Sequence, residues 1–196
     1  MRQPPSRRPP AAYLAGPEVF LPDAAEIGRR KKELCRRHGF EGLYPLDADV
    51  PRDPAPSLDR RIYHGCLAMM RAADIGILNL TPFRGLSADP GTVLELGLLA
   101  GMGKPVFAYT NDPRDLLERA RAAGDAALDA ASGIWRDGAG MSIEDFGNAD
   151  NLMLDMTLAE QGHPILRHAA LPAERFRDLG GFEACLRQAA AALAGT

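Results

Sequence analysis

One carboxylate in an otherwise apolar segment is the side chain in this sequence best suited to covalent chemistry. Residues 90–102 are predicted to form a helix, and Glu95 is their only ionisable residue. A helix that is apolar on nearly every side is normally buried, and a buried carboxylate costs free energy unless it has a specific use. Glu95 is therefore a candidate nucleophile or acid/base group, kept ionised partly by the nearby helix N-terminus.

A structural role for Glu95 is the alternative. Thr92 and Glu95 have the spacing of a capping box, in which both side chains satisfy the start of a helix. However, Asp89 followed by Pro90 is already a helix-start pattern, because Asp favours the N-cap and Pro the first helical position. A helix that starts there has Glu95 in its second turn, free to face the preceding loop, so the sequence favours the chemical role.

The segments before this helix predict where Glu95 lies in the fold. Residues 75–80 are short, apolar and rich in β-branched side chains, which is typical of a buried parallel strand. The polar loop at residues 81–89 joins this strand to the helix. In an open α/β sheet, ligands bind beyond the carboxyl ends of the strands, so this loop and Glu95 are predicted to border a site.

Strands and helices alternate along the chain. This alternation predicts an α/β fold with a doubly wound, flavodoxin-like parallel sheet and helices on both faces, in which the loops after Ala15, Leu80 and Tyr109 meet at one edge. The other predicted strands span residues 11–15, 42–44 and 105–109, and the other helices span residues 24–38, 58–73, 113–123 and 181–193. Residues 133–144 are predicted to form a hairpin that turns at Asp137-Gly138. Residues 45–57 contain four prolines and are predicted to be a loop long enough to cover a site.

The composition predicts a soluble domain. Residues 1–10 are expected to be a disordered tail and residues 11–196 a single domain. A net charge of −3 and a pI near 5.8 argue against nucleic acid, and the basic cluster at residues 29–32 is predicted to lie on a solvated helix face. No apolar run is long enough to span a membrane. The three cysteines lack zinc or disulfide spacing, so no metal is predicted and a cytoplasmic location is expected. No dinucleotide or P-loop phosphate motif occurs, and no cofactor is expected.

The order of three motifs resembles the nucleoside 2-deoxyribosyltransferase family. The motifs are Tyr13-Leu-Ala-Gly-Pro-Glu-Val-Phe20, the stretch from Asn79 to Gly97, and Asp150-Asn-Leu-Met153. This resemblance implies that the N-glycosidic bond of a 2'-deoxynucleoside is cleaved and the deoxyribosyl group is transferred to another nucleobase. It also implies a glycosyl-enzyme ester on Glu95 and net retention at the anomeric carbon.

The resemblance also assigns roles to individual residues. Tyr13 matches the tyrosine that orients the nucleophile, and Asp89 matches a carboxylate that binds the sugar hydroxyls. Asn151 and Met153 match residues that a neighbouring subunit contributes, so a homo-oligomer, dimer or higher, with shared sites is expected. The remaining residues expected to bind substrate belong to the first two motifs: Gly16, Phe20, Asn79 and Gly91.

The chain departs from the family pattern in two places. Cys66 stands where family members often have Asp or Asn near the leaving base, and the C-terminus lacks the tyrosine of some members. Two other functions stay open. One is hydrolysis, in which water replaces the acceptor base, and the other is nucleotide binding without catalysis, in which Glu95 only caps its helix.

Overall fold

The structure, a computed structural model, describes residues 8–48 and 57–195. The strands are β1 (Ala11–Ala15), β2 (Glu41–Leu43), β3 (Ile75–Asn79), β4 (Val106–Thr110), β5 (Ala127–Asp129), β6 (Ile134–Arg136) and β7 (Leu166–Arg167). The helices are α1 (Ala24–Arg37), α2 (Leu58–Ala72), α3 (Pro90–Gly101), α4 (Leu116–Ala122), α5 (Leu152–Ala159) and α6 (Gly180–Ala194). Single 3₁₀ turns occupy Pro17–Phe20, Pro45–Asp47 and Pro172–Glu174.

Five strands form a parallel sheet in the order β2-β1-β3-β4-β7. This is the flavodoxin-like order, with the switch point between β1 and β3, and it confirms the predicted fold class. Ala15 pairs with Leu78 and Asn79 pairs with Tyr109, so the carboxyl ends of β1, β3 and β4 are level. The loops that follow these strands therefore meet at one edge, where the backbone N–H of Asn111 donates to the Thr81 hydroxyl.

Alternation along the strands divides the core between the two faces of the sheet. Leu14, Ile77 and Phe107 point to the face covered by α1 and α6. Tyr13 and Leu78 point to the opposite face, which α2, α3 and α5 cover. Helix α3 packs closely on β3, because a Cβ on Gly76 would lie 2.6 Å from a methyl group of Leu99. Tyr13 and α3 therefore share one face of the sheet.

Some of the predicted elements are wrong in extent. Helix α4 begins at Leu116 instead of Pro113, because Asp115 and Glu118 form a capping box there. The prediction for residues 133–144 missed one pairing, since β6 pairs antiparallel with β5 through a turn that uses Gly133 at φ +68°. The predicted turn after Asp137 is present, because Arg136 and Ser142 form an antiparallel bridge and the N–H of Ile143 donates to the carbonyl of Trp135 at 2.8 Å.

The segments predicted to be irregular are described only in part. Residues 1–7 of the predicted tail and residues 49–56 of the proline-rich loop lie outside the described residues. Next to the tail, Pro10 accepts a backbone hydrogen bond from Glu41, and Arg8 forms an ion pair with Asp74. Within the described part of the chain, no helix is long and apolar enough to cross a membrane.

Candidate active site

The closest polar contact of Glu95 is with Tyr13, which lies 82 positions earlier in the chain. The Tyr13 hydroxyl donates a 2.5 Å hydrogen bond to Oε1 of Glu95. The Tyr13 residue is fully buried, so its hydroxyl needs a partner inside the protein. Burial, and then the charge of Glu95, raise the pKa of Tyr13 far above its ordinary value, so the phenol stays protonated and remains a donor.

Glu95 titrates near neutrality. Burial raises its pKa to about 7; the Tyr13 hydrogen bond acts in the opposite direction, and the nearby Asp89 carboxylate raises the pKa further. The helix N-terminus was expected to favour the ionised form of Glu95, but burial outweighs this effect. Glu95 is the sixth residue of α3, beyond the first turn in which the helix dipole acts strongly, and its environment is mainly apolar.

Asp89 is the N-cap of α3, as the sequence predicts. Its Oδ2 accepts hydrogen bonds from the backbone N–H of Thr92 at 3.0 Å and from the Thr92 hydroxyl at 3.2 Å. The alternative capping box between Thr92 and Glu95 is absent, because Thr92 is already the third helical residue and Glu95 bonds to Tyr13. Glu95 is thus available for chemistry and does not cap α3.

A largely apolar cleft of about 300 Å³ lies in front of Glu95. Its walls come from the 3₁₀ turns after β1 and β2, from α2 and from the start of α3. Five predicted site residues line it: Gly16, Phe20, Asp89, Gly91 and Glu95. This volume is at the lower end of the range for small-molecule sites. The carboxyl ends of β1 and β3 therefore deliver these residues to one pocket.

Cys66 of α2 also lines the cleft. Burial raises the pKa of its thiol, and the charge of Glu95 adds to this effect, so the thiol is protonated at neutral pH. The residue at which the chain departs from the family pattern thus lies beside the Tyr13–Glu95 pair.

Asn79 lies beneath the cleft and does not line it. Its amide donates to Oε2 of the buried Glu18 at 2.9 Å, and its Oδ1 accepts from the Thr81 hydroxyl at 2.5 Å. Glu18 also forms a buried ion pair with Lys31. A Cβ on Gly16 would lie 2.3 Å from Oε2 of Glu18, so this glycine allows the cleft wall to pack against the buried polar groups.

Glu18 and Lys31 are missing from the residues that the sequence singled out. The prediction that residues 29–32 lie on a solvated face is wrong for Lys31, because Ile27, Lys31 and Cys35 are four residues apart and all three are buried in α1. Like Glu95, Glu18 is a lone acid in an apolar stretch, and this pattern is visible in the sequence.

Asn151 and Met153 lie apart from the cleft of their own chain. Asn151 caps α5 by accepting from the Met153 N–H at 3.0 Å, and its amide donates to Glu144 at 2.7 Å. The Met153 residue is 66% exposed. Contact between these two residues and a substrate would therefore need the cleft of another chain. Among the described residues, His, Cys, Asp and Glu side chains nowhere form a group of three that could hold a metal ion.

Three comparisons show which proteins this chain resembles. The profile of the nucleoside 2-deoxyribosyltransferase family matches residues 12–153. A protein of Schizosaccharomyces pombe described as uncharacterized is 34% identical over 166 residues, which cover 74% of this chain and 75% of that protein. The 2-desoxiribosyltransferase from Leishmania mexicana is 31% identical, with a TM-score of 0.58, over 74% of this chain and 85% of that chain.

A second solved structure is similar in fold alone. This conserved protein from Enterococcus faecalis V583 is 19% identical, with a TM-score of 0.52, over 92% of this chain and 98% of that chain. The family match, in contrast, spans most of the sequence and includes Tyr13, Asp89 and Glu95. The chain therefore belongs to the nucleoside 2-deoxyribosyltransferase family.

Proposed function

We propose that this transferase moves the 2-deoxyribosyl group of a 2'-deoxynucleoside from one nucleobase to another through a covalent intermediate on Glu95. The observation that carries the proposal is the pairing of Glu95 with the buried Tyr13 hydroxyl at the wall of an apolar cleft. A carboxylate in such a site is desolvated and oriented, which are the conditions that activate a nucleophile.

The proposed reaction has two balanced halves. A carboxylate oxygen of Glu95 forms a bond to the anomeric carbon, while the bond from that carbon to the base nitrogen breaks. The leaving base keeps the electron pair and takes up a proton. A nitrogen of the acceptor base then attacks the same carbon, the ester bond breaks, and the acceptor releases a proton. Two displacements on one carbon give net retention.

Tyr13 orients the nucleophile in this scheme. Its hydroxyl holds Oε1 of Glu95, which leaves Oε2 as the attacking oxygen. The hydrogen bond also favours the ionised carboxylate and so opposes the effect of burial on the pKa of Glu95. Tyr13 therefore fixes both the position of the nucleophile and the fraction that is ionised at a given pH.

The substrate contacts follow from the lining of the cleft. In this scheme Phe20, Gly16 and Gly91 supply apolar surface and close backbone approach, and Asp89, which lines the same cleft, binds a sugar hydroxyl. Asn79 supports the cleft wall from below through its hydrogen bond to Glu18. We further propose that Asn151 and Met153 complete the cleft of a neighbouring subunit, because Met153 is exposed on an apolar helix whose Met156 is also 44% exposed.

One incubation tests the proposed function. The protein is mixed with 2'-deoxyinosine, with and without adenine, and the products are separated by chromatography. Formation of 2'-deoxyadenosine only when adenine is present is the expected result. Release of hypoxanthine at the same rate without adenine would instead establish a hydrolase. Binding of the nucleoside without any turnover would establish a binding module and overturn the proposal.

A further inference from the structure

A buried guanidinium joins three segments near the cleft. Arg119 of α4 is only 3% exposed. Its Nε donates to the carbonyl of Leu86 at 2.7 Å, Nη1 donates to the carbonyl of Arg114 at 2.7 Å, and Nη2 donates to the carbonyl of Ala149 at 2.6 Å. Arg119 therefore links the loop that precedes α3 to the segment that precedes α5.

Asp150 also links these two segments. It is 2% exposed, and its Oδ2 lies 3.8 Å from Nη2 of Arg119. Oδ2 accepts a 2.8 Å hydrogen bond from the backbone N–H of Ala88, and Oδ1 accepts one of 2.8 Å from the N–H of Asn151. These contacts explain why two charged groups can be buried here, since each also has backbone partners.

The loop held in this way ends at a group that acts on Glu95. Ala88 directly precedes Asp89, whose carboxylate caps α3, lines the cleft and raises the pKa of Glu95. Arg119 and Asp150 do not line the cleft themselves. Within one chain, their contacts reach the cleft through the loop at residues 81–89.

We propose that Arg119 and Asp150 are positioning residues that fix the Asp89 carboxylate relative to Glu95. Asp150 holds the N–H of Ala88, and Arg119 holds the carbonyl of Leu86, so that the last residues before α3 are fixed at two points. The proposal deepens the proposed function, because it assigns residues that set the ionisation and the substrate contacts of that same site.

Asp150→Asn is the direct test. The amide keeps only one acceptor oxygen and its nitrogen can only donate, so either the Ala88 or the Asn151 N–H loses its partner, and Arg119 loses its counter-charge. The matched control is Asp115→Asn, which makes the same chemical change at the N-cap of α4 but leaves residues 86–88 untouched. Asn is also a favoured N-cap, so the control should behave like the parent.

The readout is the pKa of Glu95, measured by NMR on protein with ¹³C-labelled glutamate carboxyls and assigned with Glu95→Gln. Because Asp89 is a like charge near Glu95, its displacement should lower the pKa of Glu95 by about 0.5. The other titratable groups beside Glu95, the buried Tyr13 and the cleft-lining Cys66, are unchanged in every variant. The same two substitutions are repeated in an Asp89→Asn background, where Asp150→Asn should cause no further change.

The outcomes separate this proposal from the proposed function, because the titration does not depend on turnover. A lower pKa of Glu95 in Asp150→Asn, which disappears in the Asp89→Asn background, supports the positioning role even if the parent proves to be a hydrolase or a binding module. The positioning role is overturned if Asp150→Asn leaves the pKa of Glu95 unchanged. It is also overturned if Asp150→Asn changes that pKa equally in the parent and in the Asp89→Asn background. Should Asp150→Asn fail to fold, Arg119→Lys is titrated instead, with the same two outcomes.

Discussion

The Tyr13 hydroxyl lies 2.5 Å from Oε1 of Glu95, so the side chain that orients the carboxylate comes from β1 and the carboxylate itself comes from α3. A side chain of the sheet and a side chain of the helix that covers the same face thus form one hydrogen-bonded pair. The hydrogen bond and burial act in opposite directions on the ionisation of Glu95. Activity and stability should therefore both depend on this pair.

The substitution Glu95→Gln should abolish transfer and stabilise the fold at alkaline pH. The amide has almost the same shape but cannot form the ester, so kcat should fall by at least about a thousandfold. Because the folded-state pKa of Glu95 is raised, the parent loses stability as pH rises from the unfolded value of 4.5 through about 7. The variant avoids this loss, which amounts to roughly 3 kcal/mol.

Urea unfolding of parent and variant at pH 4 and pH 8 measures the effect on stability, and product chromatography measures turnover. Glu26→Gln, a change at an exposed glutamate of α1, is the control for both. Transfer within tenfold of the parent would remove Glu95 as the nucleophile. A 2-fluoro sugar analogue should add mass to the peptide that contains Glu95 and to no other.

The pH dependence of kcat/KM should reveal two opposing influences on Glu95. The ionised form attacks, so kcat/KM should rise as pH increases through about 7 and then level off. Asp89→Asn removes a like charge and should move this rise to lower pH. Tyr13→Phe removes the hydrogen bond that lowers the pKa and should move it to higher pH. Shifts in the same direction for both variants would contradict this account.

The buried pair of Lys31 and Glu18 should matter more for stability than a surface pair on the same helix. Lys31→Met leaves the buried Glu18 carboxyl without its counter-charge, with Asn79 as its remaining side-chain partner, and should cost about 3–5 kcal/mol. Lys32→Met removes a partly exposed pair with Asp47 and should cost less than about 1 kcal/mol. Thermal or urea unfolding compares the two variants, and equal losses would show that the buried pair has no special role.

The sequence predicted the parts of this fold that depend on local pattern. The strand before Glu95 and the Asp89–Pro90 helix start follow from apolar runs and capping preferences, and both are confirmed. In contrast, β7 has only two residues, Leu166 and Arg167, and is a strand only because the edge of β4 is free to pair with it. Periodicity cannot reveal a strand of that length.

The missed part of the site depends on contacts that are distant in sequence. Lys31 belongs to a basic cluster, and only the packing of α1 against the sheet and α6 shows that this lysine points inward to Glu18. Likewise, the bonds of Arg119 run to carbonyls 33 and 30 residues away, at Leu86 and Ala149. Composition and spacing contain no information about such pairs, whereas a lone acid in an apolar helix is visible without the fold.

Shared active sites should allow two inactive variants to restore each other. If Asn151 and Met153 complete the cleft of a neighbouring subunit, a mixed oligomer of Glu95→Ala and Asn151→Ala chains contains one intact site. Activity should therefore appear after subunit exchange. The control mixture of Glu95→Ala with Tyr13→Ala should stay inactive, because those two residues belong to the same chain's cleft. No recovery in verified mixed oligomers would mean that each site is built from one chain.

The last prediction concerns the 5' position of the substrate and depends on Asp89. This carboxylate uses Oδ2 to cap α3 and still lines the cleft. If the sugar binds beside it, a free 5'-hydroxyl can donate to the carboxylate, but a phosphate about 4 Å away would be repelled by roughly 4 kcal/mol per charge pair at an effective dielectric near 20. A repulsion of this size would lower kcat/KM by close to a thousandfold. We therefore expect 2'-deoxynucleosides to be substrates and their 5'-monophosphates to be poor ones.

Asp89→Ser keeps a favoured N-cap while removing the charge, so it should weaken use of the nucleoside and improve relative use of the monophosphate. Comparable kcat/KM values for deoxyadenosine and its 5'-monophosphate in the unmodified protein would show that Asp89 serves the helix and not the substrate.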